Sequence, residues 1–142
     1  MSILDKDNPD AREFVTEILD EAHWYGALKV IVEFLRSRKV ERVRVEFGFV
    51  LDRDLEEKQQ GEDQVVQLSE LESFIKAGID EGFIEQKGSS DFFIYPTGVE
   101  LVFMLCNDAD LHFASSDSSL LAEVGRTLNS SGIKVYDSGR LL

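Results

Sequence analysis

Apolar positions along this chain recur with two different periods, and the switches between them mark the elements. From Phe14 the apolar residues fall at Phe14, Val15, Ile18, Leu19 and Ala22, then at Leu28, Ile31, Val32 and Leu35. Both sets fit one face of a helix. Asn8-Pro9 reads as its start, with Asn as N-cap and Pro at the first helical position. Gly26 falls between the sets, so the pattern predicts one bent helix or two. Acidic residues lead (Asp10, Glu13, Glu17, Asp20, Glu21) and basic ones follow (Arg36, Arg38, Lys39), which suits a helix dipole.

From Arg42 to Leu51 the period drops to two. Val43, Val45, Phe47, Phe49 and Leu51 face one way and Arg42, Arg44 and Glu46 the other, as in a half-buried strand. Residues 52–64 are almost wholly polar and predict a loop. Ser69-Glu70-Leu71-Glu72 reads as a capping box ahead of a helix carrying Leu71, Phe74, Ile75 and Ile79, with Gly82 at its end.

Four short strands are predicted next. Phe83 to Gln86 and Phe92 to Tyr95 flank a turn with Gly88, and Val99 to Cys106 and Leu111 to Ala114 flank Asn107 to Asp110. Ser116 or Asp117 caps a helix bearing Leu120, Leu121, Val124 and Leu128, closed by Gly132. A strand at Ile133 to Tyr136 and a tail over 137–142 complete the chain. The expectation is a single α+β domain over residues 1–142: one antiparallel or mixed sheet of about five to six strands with three helices packed on it.

Composition agrees with a folded domain. The 142 residues are 43% apolar and include 10 Phe, enough for a sizeable core. One cysteine, Cys106, cannot form an internal disulfide, and the N-terminal run lacks the basic and apolar regions of a secretory signal. The segments richest in apolar residues are far shorter than the ~20 residues of a membrane span. A cytoplasmic protein is expected, with no membrane partner.

Charge changes the picture most. Asp and Glu number 28 against 15 Lys and Arg, a net charge of −13. Such a surface repels nucleic acid and anionic membranes and steers basic partners toward it. Asp52, Asp54, Glu56, Glu57, Glu62 and Asp63 concentrate this charge in the polar loop, with Glu70 and Glu72 near in sequence. They are the candidate partner-binding residues, with Phe92, Phe93, Tyr95, Trp24 and Tyr25 as candidate apolar anchors. The alternative is that the acids serve solubility and the aromatics the core. A basic run from Lys29 to Arg44 reads as a helix end followed by the solvent side of a strand.

Candidate chemistry gathers at one hairpin. If the strand ran back through Asp108, then Asp108, Asp110 and His112 would share a face, able to bind a divalent metal or move protons. Cys106 flanks the same hairpin and is the candidate nucleophile. Against this, Asn107 to Asp110 suits a plain turn, His112 suits the polar side of a strand with Leu111 and Phe113 inward, and a lone Cys in an apolar strand suits burial. No phosphate loop, nucleophile elbow or zinc motif is present, and no cofactor is expected.

Two resemblances follow. Leu68 to Gly98, a capped helix, then Gly-Phe-Ile-Glu, a hairpin with Gly88 and Tyr-Pro-Thr-Gly, resembles the back half of a winged helix. That resemblance implies a regulatory interaction module. Its would-be recognition helix carries Glu70, Glu72, Asp80 and Glu81 against Lys76, which opposes contact with phosphates. In size, acidity and cysteine content the whole chain is similar to small acidic bacterial immunity or inhibitor proteins. That likeness implies a non-enzymatic protein that neutralises a basic partner such as a toxin. A homodimer, covering an exposed edge strand, fits every reading.

Overall fold

The computed structural model describes residues 11–47, 64–81, 92–105 and 109–140. In chain order the elements are β1 (Arg12–Thr16), α1 (Glu21–Ser37), β2 (Arg42–Phe47), β3 (Gln64–Gln67), a 3₁₀ turn (Leu68–Glu70), α2 (Leu71–Asp80), β4 (Phe92–Pro96), β5 (Val102–Leu105), β6 (Leu111–Ser115), α3 (Ser118–Ser130) and β7 (Val135–Arg140). The strands form one seven-stranded sheet in the order β3-β2-β4-β5-β6-β1-β7. Every neighbouring pair is antiparallel. The architecture is α+β, with more strands than the sequence predicts.

Alternation along each strand divides the sheet into two faces. One carries Val43, Val66, Ile94, Phe103 and Phe113, and these belong to the same buried cluster as Leu28, Ile31 and Leu35 of α1, Leu71 and Ile75 of α2, and Leu121, Val124 and Leu128 of α3. All three helices therefore cover the same face. Phe92, Phe103 and Phe113 are among its largest fully buried side chains, each stabilising the fold by about 1.5–3 kcal/mol relative to exposure. The opposite face carries a row set by register: Glu46, Phe93, Met104, His112, Val15 and Tyr136 lie side by side across β2, β4, β5, β6, β1 and β7.

Helix ends follow local chemistry. Asp20 caps α1 by accepting from the His23 N–H at 2.8 Å. Asp117 caps α3, accepting from the N–H groups of Ser119 and Leu120, as the sequence predicts. Both helices end in a Schellman motif. Val40 N–H donates to Leu35 C=O and Lys39 N–H to Arg36 C=O after α1, and Ile133 N–H donates to Leu128 C=O and Gly132 N–H to Asn129 C=O after α3. The left-handed position is Gly132 (φ 85°) in the second and Lys39 (φ 64°) in the first.

Five expectations need correction. Residues 12–16 are a strand and not the opening of a helix; α1 starts at Glu21, after the Asp20 cap, and runs unbroken through Gly26. β3 occupies Gln64–Gln67, at the end of what reads as loop. Ser69 and Glu72 form no capping box, because Leu68–Glu70 winds as a 3₁₀ turn and α2 begins directly after it at Leu71, without a side-chain cap. The last strand is Val135–Arg140, so Asp137, Gly139 and Arg140 of the expected tail are paired with β1. The winged-helix likeness also fails: among the described residues, three strands and one α-helix precede Leu68, and β4 pairs with β2 and β5. The hairpin at Phe83 to Gln86 lies outside the described residues.

Candidate functional site

β6 carries the chemistry because its alternation sends Leu111 and Phe113 into the core and leaves His112 on the face opposite the three described helices. β1 lies beside it, pairing Val15 with His112 and Glu13 with Ala114, which sets Glu13 one position along from the histidine on the same face. His112 Nδ1 lies 2.7 Å from Glu13 Oε1, and its Nε2 lies 3.2 Å from Asp110 Oδ1. Side-chain exposure is 21% for His112, 18% for Glu13 and 14% for Asp110. Each ring nitrogen thus faces a carboxylate, and both donate at once only when the ring is doubly protonated.

The segment leading into β6 is shaped by Ala109, which takes a left-handed conformation (φ 62°), and whose carbonyl accepts from Leu19 N–H at 2.9 Å. Thr16, buried at the end of β1, accepts from Leu111 N–H through its hydroxyl at 3.0 Å. Together these bonds fix the turn against β1. Ser115, at the other end of β6, donates to Glu100 C=O and accepts from Asp117 N–H. The serine-rich run ahead of α3 therefore serves the strand end and the helix cap.

Asp110 and His112 come together, their side chains 3.2 Å apart. Cys106 and Asp108, and the six acidic residues Asp52, Asp54, Glu56, Glu57, Glu62 and Asp63, lie outside the described residues. Glu13 is the member that sequence reasoning misses, because residues 12–16 read as helix; the period-two set Glu13 and Val15 against Phe14 and Thr16 is the signal that would find it. Beside the cluster lies a cavity of about 20 Å³, lined by Glu13, Phe93, Val102, Met104, His112 and Ala114. Among the described residues no group of three His, Cys, Asp or Glu is arranged to hold a metal ion.

Two larger recesses lie on the helix side. One, of about 460 Å³, separates α1 from α2 and is lined by Tyr25, Gly26, Lys29, Glu72, Ser73 and Lys76. Burial raises the Tyr25 phenol above its ordinary range, with Glu21 and Asp80 adding to the effect. The other, of about 600 Å³, runs beside β3 and is lined by Gln64 to Gln67, Glu70, Ser73 and Phe74. Of the aromatic anchor candidates, Trp24 and Phe92 are core, while Tyr25, Phe93 and Tyr95 are half-buried.

Several cations are engaged with the chain's own carboxylates. Arg38 bridges α1 to Glu123 of α3, Arg12 meets Asp137 at 3.1 Å, and Arg36 lies 3.8 Å from Glu33. Arg44 stacks 4.0 Å above the Tyr95 ring on the face opposite the described helices. The basic run from Lys29 to Arg44 is spread over the second half of α1 and the strand β2. Among the described residues no helix is long and apolar enough to cross a membrane. The chain matches no protein-family model, and neither the curated proteins nor the solved structures give a match.

Proposed function

We propose that this protein is a non-enzymatic binding protein that neutralises or sequesters a basic protein, in the manner of an inhibitor or immunity protein. The observation that carries the reading is the surplus of 28 acidic over 15 basic residues. Part of the smaller set is already engaged in ion pairs such as Arg38–Glu123 and Arg12–Asp137. The remaining carboxylates set up a long-range negative field that draws a basic partner in and fixes its approach. Affinity then needs apolar contact, and Ile18, Val65 and Tyr136 are the large apolar side chains most exposed among the described residues.

In the sequence the acids are densest at Asp52, Asp54, Glu56, Glu57, Glu62 and Asp63, and these are the residues the proposal assigns to steering. Reversing Asp52, Asp54, Glu56 and Glu57 to Lys is expected to slow association with the basic partner by about tenfold or more, and added salt to slow the wild type similarly. Stopped-flow association rates check this. A rate indifferent to both changes contradicts the proposal.

A further inference from the structure

Among the described residues β3 ends the sheet, and its register assigns its backbone groups. Leu68 N–H donates to Glu41 C=O at 2.9 Å, which makes those residues a hydrogen-bonded pair. Antiparallel pairing alternates, so Val43–Val66 and Val45–Gln64 are bonded pairs, while Arg42–Gln67 and Arg44–Val65 are not. The other side of β2 gives the same phase independently. Thr97 N–H donates to Arg42 C=O at 3.1 Å, so Arg42 and Arg44 direct their backbone groups to β4. The N–H and C=O of Val65 and the N–H of Gln67 therefore point outward from the sheet edge. The Gln67 carbonyl is turned into the 3₁₀ turn it caps.

Such an edge invites pairing, and proteins usually blunt it with Lys, Pro, inward charge or a bulge. Gln64-Val65-Val66-Gln67 has no charge and no proline, in a chain that is 30% charged, and Val65 is 67% exposed. Beside the edge runs the groove of about 600 Å³ whose far wall is Glu70, Ser73 and Phe74 of the turn and α2. Phe74 is held there by stacking on Phe92, with ring centroids 6.2 Å apart. A strand edge with a helix wall is the geometry in which an added peptide gains main-chain bonds on one side and a pocket for alternate side chains on the other.

We infer that β3 accepts an extended segment of another protein, alternating basic and apolar, as an eighth strand. Its main chain bonds Val65 and Gln67, its basic side chains enter the groove to meet Glu70 with their stems against Phe74, and its apolar ones lie beside exposed Val65 on the other face. Charge selects this occupant over a second copy, which would bring its own −13 to the edge. The inference rests on the basic-partner reading and adds where and how that partner is held.

The probe is the peptide acetyl-Lys-Val-Lys-Val-Arg-Val-amide, titrated into the isotope-labelled full chain with amide hydrogen exchange read residue by residue. Bound peptide is expected to slow exchange at Val65 and Gln67 by about tenfold or more and to leave Val66 and Leu68, already bonded to β2, little changed. Gln67→Pro tests the bond directly. The residue has φ −64°, which the proline ring adopts, and its N–H takes no part in the β2 ladder, so the fold survives. Peptide affinity should fall about tenfold in that variant. Val65→Lys, at an exposed position, is expected to weaken binding in the same direction through charge. Binding that leaves the Val65 and Gln67 amides and the Gln67→Pro affinity unchanged would overturn the edge site while sparing the basic-partner reading. Absence of binding, equal binding of a peptide with Glu for Lys and Arg, or a wild-type dimer that Gln67→Pro dissolves would each overturn the inference too.

Discussion

At the scale of single residues, this chain uses one device twice with different success. The Schellman turn after α3 places Gly132 in the left-handed position, whereas the same turn after α1 places Lys39 there, where a side chain meets its own backbone. Lys39→Gly is expected to stabilise the fold by about 1 kcal/mol, read as a shifted urea midpoint at constant slope. The helix caps contribute a pH dependence. The Ser119 hydroxyl and the Leu120 N–H hold the Asp117 carboxyl below its ordinary range, and the His23 N–H does the same for Asp20. A lowered folded value means that the caps' contribution is complete above the unfolded value of about 3.9 and is lost as pH falls through the folded one. Asp117→Ala should therefore melt below the wild type at neutral pH, with the gap narrowing under acid. At this scale Asp110 and His112 are legible in the sequence because they share one strand approach; Glu13 is not, because it arrives from a strand 99 residues away from its partner.

Elements were legible where a period persisted long enough to exclude its rival. The seven buried positions of α1 and the five of α3 repeat at helical spacing, and Val43 with Val45 alternates with Arg42 and Arg44. β1 fails this test because Phe14, Val15, Ile18 and Leu19 imitate a helical face across what is really a strand, a connection and a cap. Only tertiary pairing with β6 and β7 decides the matter. β3 fails for the opposite reason: Val65 and Val66 are two apolar residues in a polar run, too few to show any period. The misread bend at Gly26 yields a prediction. Nothing lies within 4 Å of a Cβ built there, so Gly26→Ala should stabilise α1 by about 0.5–1 kcal/mol, measurable by denaturant titration. Phe113 sits 6.2 Å from Phe103 and 5.6 Å from Phe14, ring to ring, and is nearly inaccessible. Phe113→Ala should cost about 3–5 kcal/mol, the penalty of a large core cavity.

On the scale of the whole molecule, two properties combine. Among the described residues a seven-stranded antiparallel sheet, its helices gathered on one face, ends in β3, whose four residues are uncharged, and the chain carries a net charge of −13. Composition made the charge plain from the sequence, but the edge became visible only when the register assigned the outward N–H groups. The most direct test of the account is capture from a lysate of the source organism with the tagged full chain, washed first at low and then at high salt, with mass spectrometry of each eluate. The account predicts one basic protein held in stoichiometric amount and released by salt. Recovery of the bait alone, or of its own copies only, at both salt steps would contradict it.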